Sequence, residues 1–242
     1  MAGPGWCILR AAALAFGAAL PLPLAAAPVE LALVLAVDCS QSVDEGEFRL
    51  QMGGIAAALR QPAVAEAAEE SRDGIAITLL QWSGVGGHVQ AVPWTPLRNA
   101  DAAAALAARI ETTERLAAAG STAIGDALAF SMRLIEREMP DARRKVIDIS
   151  GDGMNNQGEW PDSVRPRLLA AGITVNGLAI TNEEPDLDRY YASRVIGGPG
   201  AFVLRAADFA AFAEAMARKL VREIAGVRSE GSAAASLPAR GR

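Results

Sequence analysis

Seven consecutive apolar residues, Leu31-Ala32-Leu33-Val34-Leu35-Ala36-Val37, end abruptly at the polar run Asp38-Cys39-Ser40-Gln41-Ser42. An unbroken apolar run of this length predicts a strand covered on both faces. Phe48, Met52, Ile55 and Leu59 then recur at helical spacing behind the start signals Asp44 and Glu47, and Gln61-Pro62 closes that helix. The alternation continues along the chain. Gly74 to Trp82 predicts a second strand, Gly84-Val85-Gly86-Gly87 a turn, and Val89 to Trp94 a third strand, near enough to pair antiparallel with the second. An alanine-rich helix follows at residues 99–110. Gly120-Ser121-Thr122 opens another, with Ile124, Leu128 and Ile135 on one face. Lys145 to Ser150 predicts a fourth strand, Pro161 to Ala171 a helix with proline in its first turn, and Ile173 to Ile180 a fifth strand. A short helix around Leu187 to Val195, a strand at Ala201 to Leu204 and a helix carrying Phe209, Phe212, Met216, Leu220 and Ile224 complete the series.

Strands alternating with helices predict an α/β fold. The expected architecture is a doubly wound, mostly parallel six-stranded sheet with one antiparallel edge strand and helices on both faces. Neither an internal repeat nor a second domain interrupts the pattern, so residues 28–226 are expected to form one domain.

The flanks break the pattern. Arg10 is followed by an apolar run, Ala11 to Leu20, then Pro21, Pro23 and the small residues Ala25-Ala26-Ala27. This order predicts a secretory signal peptide at residues 1–27, cleaved near Ala26 or Ala27. The run falls short of the roughly 20 residues of a membrane span, and prolines interrupt it. Export to the periplasm or the extracellular space is therefore expected, with no membrane span after cleavage. Residues 227–242 lack periodicity and are expected to form a disordered tail. Composition narrows the partners. Apolar residues make up 51% of the 242 and charged residues 21%, which describes a globular chain. The net charge of −5, with acids and bases interleaved, supplies no basic stripe for nucleic acid. Cys39 is the one cysteine outside the signal, so no disulfide is expected; it reads as a small buried residue turned away from the polar loop.

Ligands of such sheets bind beyond the carboxyl ends of the strands. Three segments fall at that edge: Asp38 to Ser42, Gly120-Ser121-Thr122 and Ser150-Gly151-Asp152-Gly153. From them, Asp38 and Asp152 offer two carboxylates and Ser40, Ser42 and Thr122 three hydroxyls, all oxygen donors. A hard divalent cation prefers oxygen ligands in octahedral geometry, and this set leaves a sixth position free. Taken singly, each segment has a plainer reading. Ser42 and Asp44 could cap the first helix, Thr122 the helix at Ile124, and Asp152-Gly153 could be only a turn.

The sequence D-x-S-x-S after the first strand, a distant Thr, and Asp-Gly after the fourth strand resemble the von Willebrand factor A (vWA) domain, in an exported bacterial branch of unknown role. The resemblance spans about Val29 to Gly226. It implies a metal-ion-dependent adhesion site with Asp38, Ser40, Ser42, Thr122 and Asp152 as ligands of Mg²⁺, or of Mn²⁺ or Ca²⁺. It also implies a protein partner that supplies a carboxylate. One departure stands out. Many members carry Ser or Thr immediately before the second Asp, where this chain has Gly151.

The reading is therefore of a binding module rather than an enzyme. A metal-dependent hydrolase of phosphatase or esterase type is the alternative; it would call for more carboxylate or imidazole ligands, or for a base beside a serine. His88, the only histidine, lies in a glycine-rich turn. A metal-free scaffold is the third reading. Asp148, inside an apolar strand, reads equally as a support for the metal ligands or as a structural acid. Asp44, Glu45 and Glu47 read as a helix start complementing its dipole. Asn155, Asn156 and Gln157 read either as ligand contacts or as solvated turn residues.

Overall fold

A computed structural model describes residues 29–225 apart from Arg72 and Pro140. The segments read as a signal peptide and a tail lie outside the described residues. Six strands, β1 (Leu31–Asp38), β2 (Ile75–Trp82), β3 (His88–Leu97), β4 (Arg144–Gly151), β5 (Ile173–Ile180) and β6 (Val203–Ala206), form one sheet in the order β3-β2-β1-β4-β5-β6. Every neighbouring pair is parallel except β2–β3. β3 is thus the antiparallel edge strand, and its Pro93 and Pro96 sit where an edge strand tolerates a missing donor. This is the doubly wound α/β sheet that the hydrophobic pattern predicts.

Strand alternation divides the core into two layers. Leu31, Leu33, Leu35 and Val37 of β1 pack with α1 (Glu45–Leu59), α2 (Pro62–Glu70), α3 (Ala100–Glu111) and α7 (Phe212–Ala225). Val34 and Ala36 face the other way, toward α4 (Ile124–Glu138), α5 (Pro161–Ala170) and the segment after β5. That segment is α6 (Leu187–Tyr190) followed by a π-helical turn, Tyr191–Val195. Continued past Val37, the alternation puts buried Cys39 in the α1 layer, away from the polar site, as expected.

One difference from the sequence reading has a local cause. α2 was not foreseen, because Gln61-Pro62 looks like a terminator. α1 does end at Leu59, but Pro62 is also the first residue of the next helix, where its missing N–H is no loss. α1 itself starts with a capping box. Asp44 accepts from Glu47 N–H (2.8 Å) while Glu47 accepts from Asp44 N–H (2.9 Å). These acids are therefore engaged in starting the helix. Among the described residues, no helix is long and apolar enough to cross a membrane.

Candidate metal centre

The β1–α1 loop is held from behind by residues that leave its hydroxyls free. Asp38 ends β1 in register with Trp82 of β2. Beyond it, Cys39 N–H donates to the Trp82 carbonyl (2.7 Å) and Gln41 N–H to the Gly120 carbonyl (2.8 Å). Arg115 then gathers three loop carbonyls, reaching Cys39 O (2.6 Å) and Ser40 O (3.0 Å) with Nη2 and Val43 O (2.8 Å) with Nη1. Gln51 Nε2 donates to the Asp38 carbonyl (3.1 Å). Sequence reasoning passed over Arg115 and Gln51, since nothing in a single sequence connects an arginine in a loop to carbonyls more than seventy positions away.

With the backbone engaged, the side chains face one another. Asp38 Oδ1 accepts from Ser40 N–H (2.7 Å). Ser40 Oγ lies 3.1 Å from Ser42 Oγ, and Ser42 Oγ donates to Asp152 Oδ1 (2.7 Å). Segments 110 residues apart thus meet through one hydroxyl. Thr122, in the third loop, lies beside the Asp152-Gly153 turn. A methyl group placed on Gly153 would lie 3.5 Å from Thr122 Oγ1. The Thr122 backbone is clamped: its N–H donates to Asn156 Oδ1 (2.8 Å) and its carbonyl accepts from Asn156 N–H (2.9 Å). Thr122 does not cap α4, whose N-cap is Ala123 without a side-chain cap bond. Asp38, Ser40, Thr122 and Asp152 are buried, whereas Ser42 is exposed, so the cluster opens to solvent on that side.

In the polar loop after Asp152, Asn156 and Gln157 are exposed as the turn reading expects, whereas Asn155 is buried. Asn155 Oδ1 accepts from Gly125 N–H at the start of α4 (3.2 Å), and Gln157 Oε1 accepts from Val85 N–H (3.1 Å). Together with Asn156 they brace the loops that carry Thr122. Asp148 lies elsewhere, in β4 in register with Leu35, and pairs with Lys219 of α7 (2.9 Å). It is a structural acid. His88 opens β3 and stacks on Phe130 with ring centroids 5.5 Å apart; no hydrogen bond joins it to the site hydroxyls.

The electrostatics of the cluster are unbalanced. Asp38 Oδ2 and Asp152 Oδ2 are buried without hydrogen-bond partners. Burial, reinforced by the nearby Asp152 charge, pushes the Asp38 carboxyl up to about 7. Burial also raises Asp152, against the lowering effect of the Ser42 hydroxyl. Two buried carboxylates without a countercharge are costly. A divalent cation would remove that cost, and hydroxyls plus carboxylates are the donors a hard cation takes. The residues present therefore fit the implied ion. Among the described residues, no group of three or more His, Cys, Asp or Glu is placed to hold a metal ion, so a site here depends on its hydroxyls.

A family model described as "Protein of unknown function (DUF1194)" matches residues 28–228. A search of curated proteins finds no match. Solved structures share the fold. Proximal thread matrix protein 1 from the mussel byssus aligns over 80% of this chain and 46% of its own, at 15% identity and a TM-score of 0.56. A second structure of that protein has a zinc-occupied MIDAS motif, at 17% identity and a TM-score of 0.55, over 82% of this chain and 48% of its own. A von Willebrand factor type A protein from Catenulispora acidiphila aligns at 20% identity and a TM-score of 0.55, over 81% of this chain and 43% of its own. The pilus adhesin SpaC from Lactobacillus rhamnosus GG aligns at 13% identity and a TM-score of 0.55, over 81% of this chain and 31% of its own. The chain thus spans less than half the length of these structures, and its fold is that of the vWA domain.

Proposed function

The chain belongs to the DUF1194 family, and on that premise we propose that it is an exported module that binds a divalent cation and, through it, an acidic residue of a protein partner. The observation that carries the reading is the pair of buried, unpartnered carboxylate oxygens, Asp38 Oδ2 and Asp152 Oδ2, beside linked hydroxyls. Asp38, Ser40, Ser42, Thr122 and Asp152 would hold the ion. Mg²⁺ suits an octahedral set of oxygens, with Mn²⁺ or Ca²⁺ as substitutes. When bound, the ion supplies positive charge at an open position, to which a partner's carboxylate is drawn.

The surroundings support a protein partner. Val85, Leu116, Met154 and Trp160 are exposed, and each sits on a loop at the carboxyl edge of the sheet or where a helix starts there. Exposed apolar side chains around a polar centre are typical of protein-binding faces. Structures that share the fold include a matrix protein and a pilus adhesin. A hydrolase built on the same residues would need a base at one of the hydroxyls, and His88 is turned to Phe130 instead.

The test is a thermal titration with Mg²⁺ and Mn²⁺, on wild type and Ser40→Ala, followed by capture of envelope proteins with and without chelator. A cation-dependent rise in melting temperature, lost in Ser40→Ala, together with chelator-sensitive capture, supports the reading. Equal shifts in both proteins, or none in wild type, overturn it.

A further inference from the structure

Tyr191 is fully buried, and its phenolic oxygen has no hydrogen-bond partner. A buried hydroxyl in that state is costly, and tyrosine hydroxyls inside proteins normally find a partner. The chain goes to some length to place this one. Tyr191 begins the π-helical turn Tyr191–Val195, a backbone form that gathers at functional positions. Its ring lies against β5 where residue 177 is glycine; a methyl group there would sit 2.7 Å from Tyr191 Cδ1. Its hydroxyl reaches β4 where residue 151 is also glycine. A methyl group on Gly151 would sit 2.9 Å from Tyr191 Oη and 2.7 Å from Asp38 Oδ2.

The phenol and the carboxylate therefore converge over the same glycine. One is a donor and the other an acceptor, and both are unpartnered. Trp82 closes the third side, with Cζ2 3.2 Å from that point. Asp38 Oδ1 already accepts from Ser40 N–H, so Oδ2 is the oxygen left to be fixed. Gly151 is thus no defect of the site: any side chain there would displace either the phenol or the carboxylate.

We propose that Tyr191 is the positioning residue of Asp38, its phenolic O–H being the donor for Oδ2 in the charged, cation-binding form of the carboxylate. The proposal rests on the metal reading above. Partners that orient a ligand from behind typically change metal affinity by about 10–100-fold when removed.

The chain holds two tyrosines, which makes the test clean. Mn²⁺ alone is titrated calorimetrically into wild type, Tyr191→Phe and Tyr190→Phe. Tyr191→Phe keeps the ring and deletes the hydroxyl; its Kd is expected to rise about tenfold or more. Tyr190→Phe loses the long bond from Asn155 N–H to the Tyr190 hydroxyl (3.3 Å) and is expected to change the affinity far less than Tyr191→Phe. In Tyr190→Phe the only tyrosine is Tyr191, so the tyrosine bands of its ultraviolet resonance Raman spectrum report the phenolic hydrogen bond directly; they are expected to shift on Mn²⁺ addition. An unchanged affinity in folded Tyr191→Phe overturns the proposal and leaves the metal site standing. An affinity loss without any Raman shift shows a packing role only and also overturns it. If Tyr191→Phe fails to fold, the Raman shift in Tyr190→Phe decides. If wild type binds no Mn²⁺, the metal reading falls and this proposal with it.

Discussion

The molecule buries two pairs of acids, and it treats them in opposite ways. Beneath α7, Asp148 and Glu223 surround an ammonium group of the chain's own: Lys219 Nζ lies 2.9 Å from Asp148 and 2.7 Å from Glu223. Asn176 Nδ2 adds a hydrogen bond to Glu223 (2.7 Å). At the carboxyl edge, Asp38 and Asp152 are equally buried, but their hydrogen bonds come from the Ser40 N–H and the Ser42 hydroxyl, and Glu183 and Glu47 add negative charge nearby. The first cluster carries its cation in the sequence. The second has the acids, the donors and an opening, and lacks a positive charge. A buried acid is thus not by itself a sign of function; what separates the two cases is whether the fold already provides the countercharge.

The largest way to break the comparison is to remove the resident cation. Lys219→Met leaves Asp148 and Glu223 without a countercharge in the core, and breaking a buried pair in this way costs about 3–5 kcal/mol. Chemical denaturation should show that loss, while Mn²⁺ affinity in protein that still folds stays unchanged. Removing an acid at the other cluster should act in the opposite sense. Asp38→Asn deletes an uncompensated charge, so the metal-free protein should be as stable as wild type or more so. The same variant should lose the metal-induced stabilisation, which for wild type is about 2.7 kcal/mol at a hundred times Kd. Differential scanning calorimetry with and without Mg²⁺ measures both. A metal-free Asp38→Asn protein that melts well below wild type would show that Asp38 has a structural countercharge after all.

How much of this contrast was legible in the sequence differs between its two halves. Asp38, Ser40 and Ser42 follow an apolar strand so directly that their place at the sheet edge could be read from alternation alone, and Asp152 follows β4 in the same way. The α7 cluster was only half visible. Asp148 stood out in its apolar strand, but its partners Lys219 and Glu223 lie four apart on a helix whose apolar stripe also holds Phe212, Met216 and Leu220. A Lys and a Glu one turn apart on a buried stripe was the available signal for an internal ion cluster. Arg115 and Tyr191 gave no such signal. Their roles depend on tertiary approach, through loop carbonyls and over Gly151, which single-sequence periodicity does not encode.

Acidity separates the clusters further. Burial and the neighbouring Glu223 charge push Asp148 up to about 8, and burial with Asp152 pushes Asp38 up to about 7. Both values lie above the unfolded 3.8, so between about pH 4 and pH 7–8 the folded state holds protons that the unfolded state has lost. Stability of the metal-free protein should therefore fall as pH rises through that window. Asp38→Asn should remove the part that ends near pH 7, and saturating Mg²⁺ should remove the same part. Asp148→Asn should remove the part that extends to about pH 8, with or without Mg²⁺. Denaturation midpoints measured across pH in the four cases test this. An Mg²⁺ effect that survives in Asp38→Asn would place the ion elsewhere.

The smallest expected effect is the most specific. Burial and the adjacent Glu223 favour the proton-bearing form of Asp148, against the pull of Lys219. Asparagine reproduces that form: its Oδ1 can keep the 2.9 Å approach to Lys219 Nζ, and its Nδ2 can donate to Glu223 Oε2, which lacks a partner at present. Asp148→Asn should therefore shift stability at pH 7 by less than about 1 kcal/mol, the worth of one ordinary hydrogen bond. It should do so without touching Mn²⁺ affinity, since Asp148 faces α7 and not the edge loops. Asp148→Ala, which deletes the contact with Lys219 and leaves Lys219 and Glu223 beside a cavity, should cost more. If asparagine proves as damaging as alanine, Asp148 is charged in the native protein, and the α7 cluster would then carry a net negative charge like the edge site it is contrasted with.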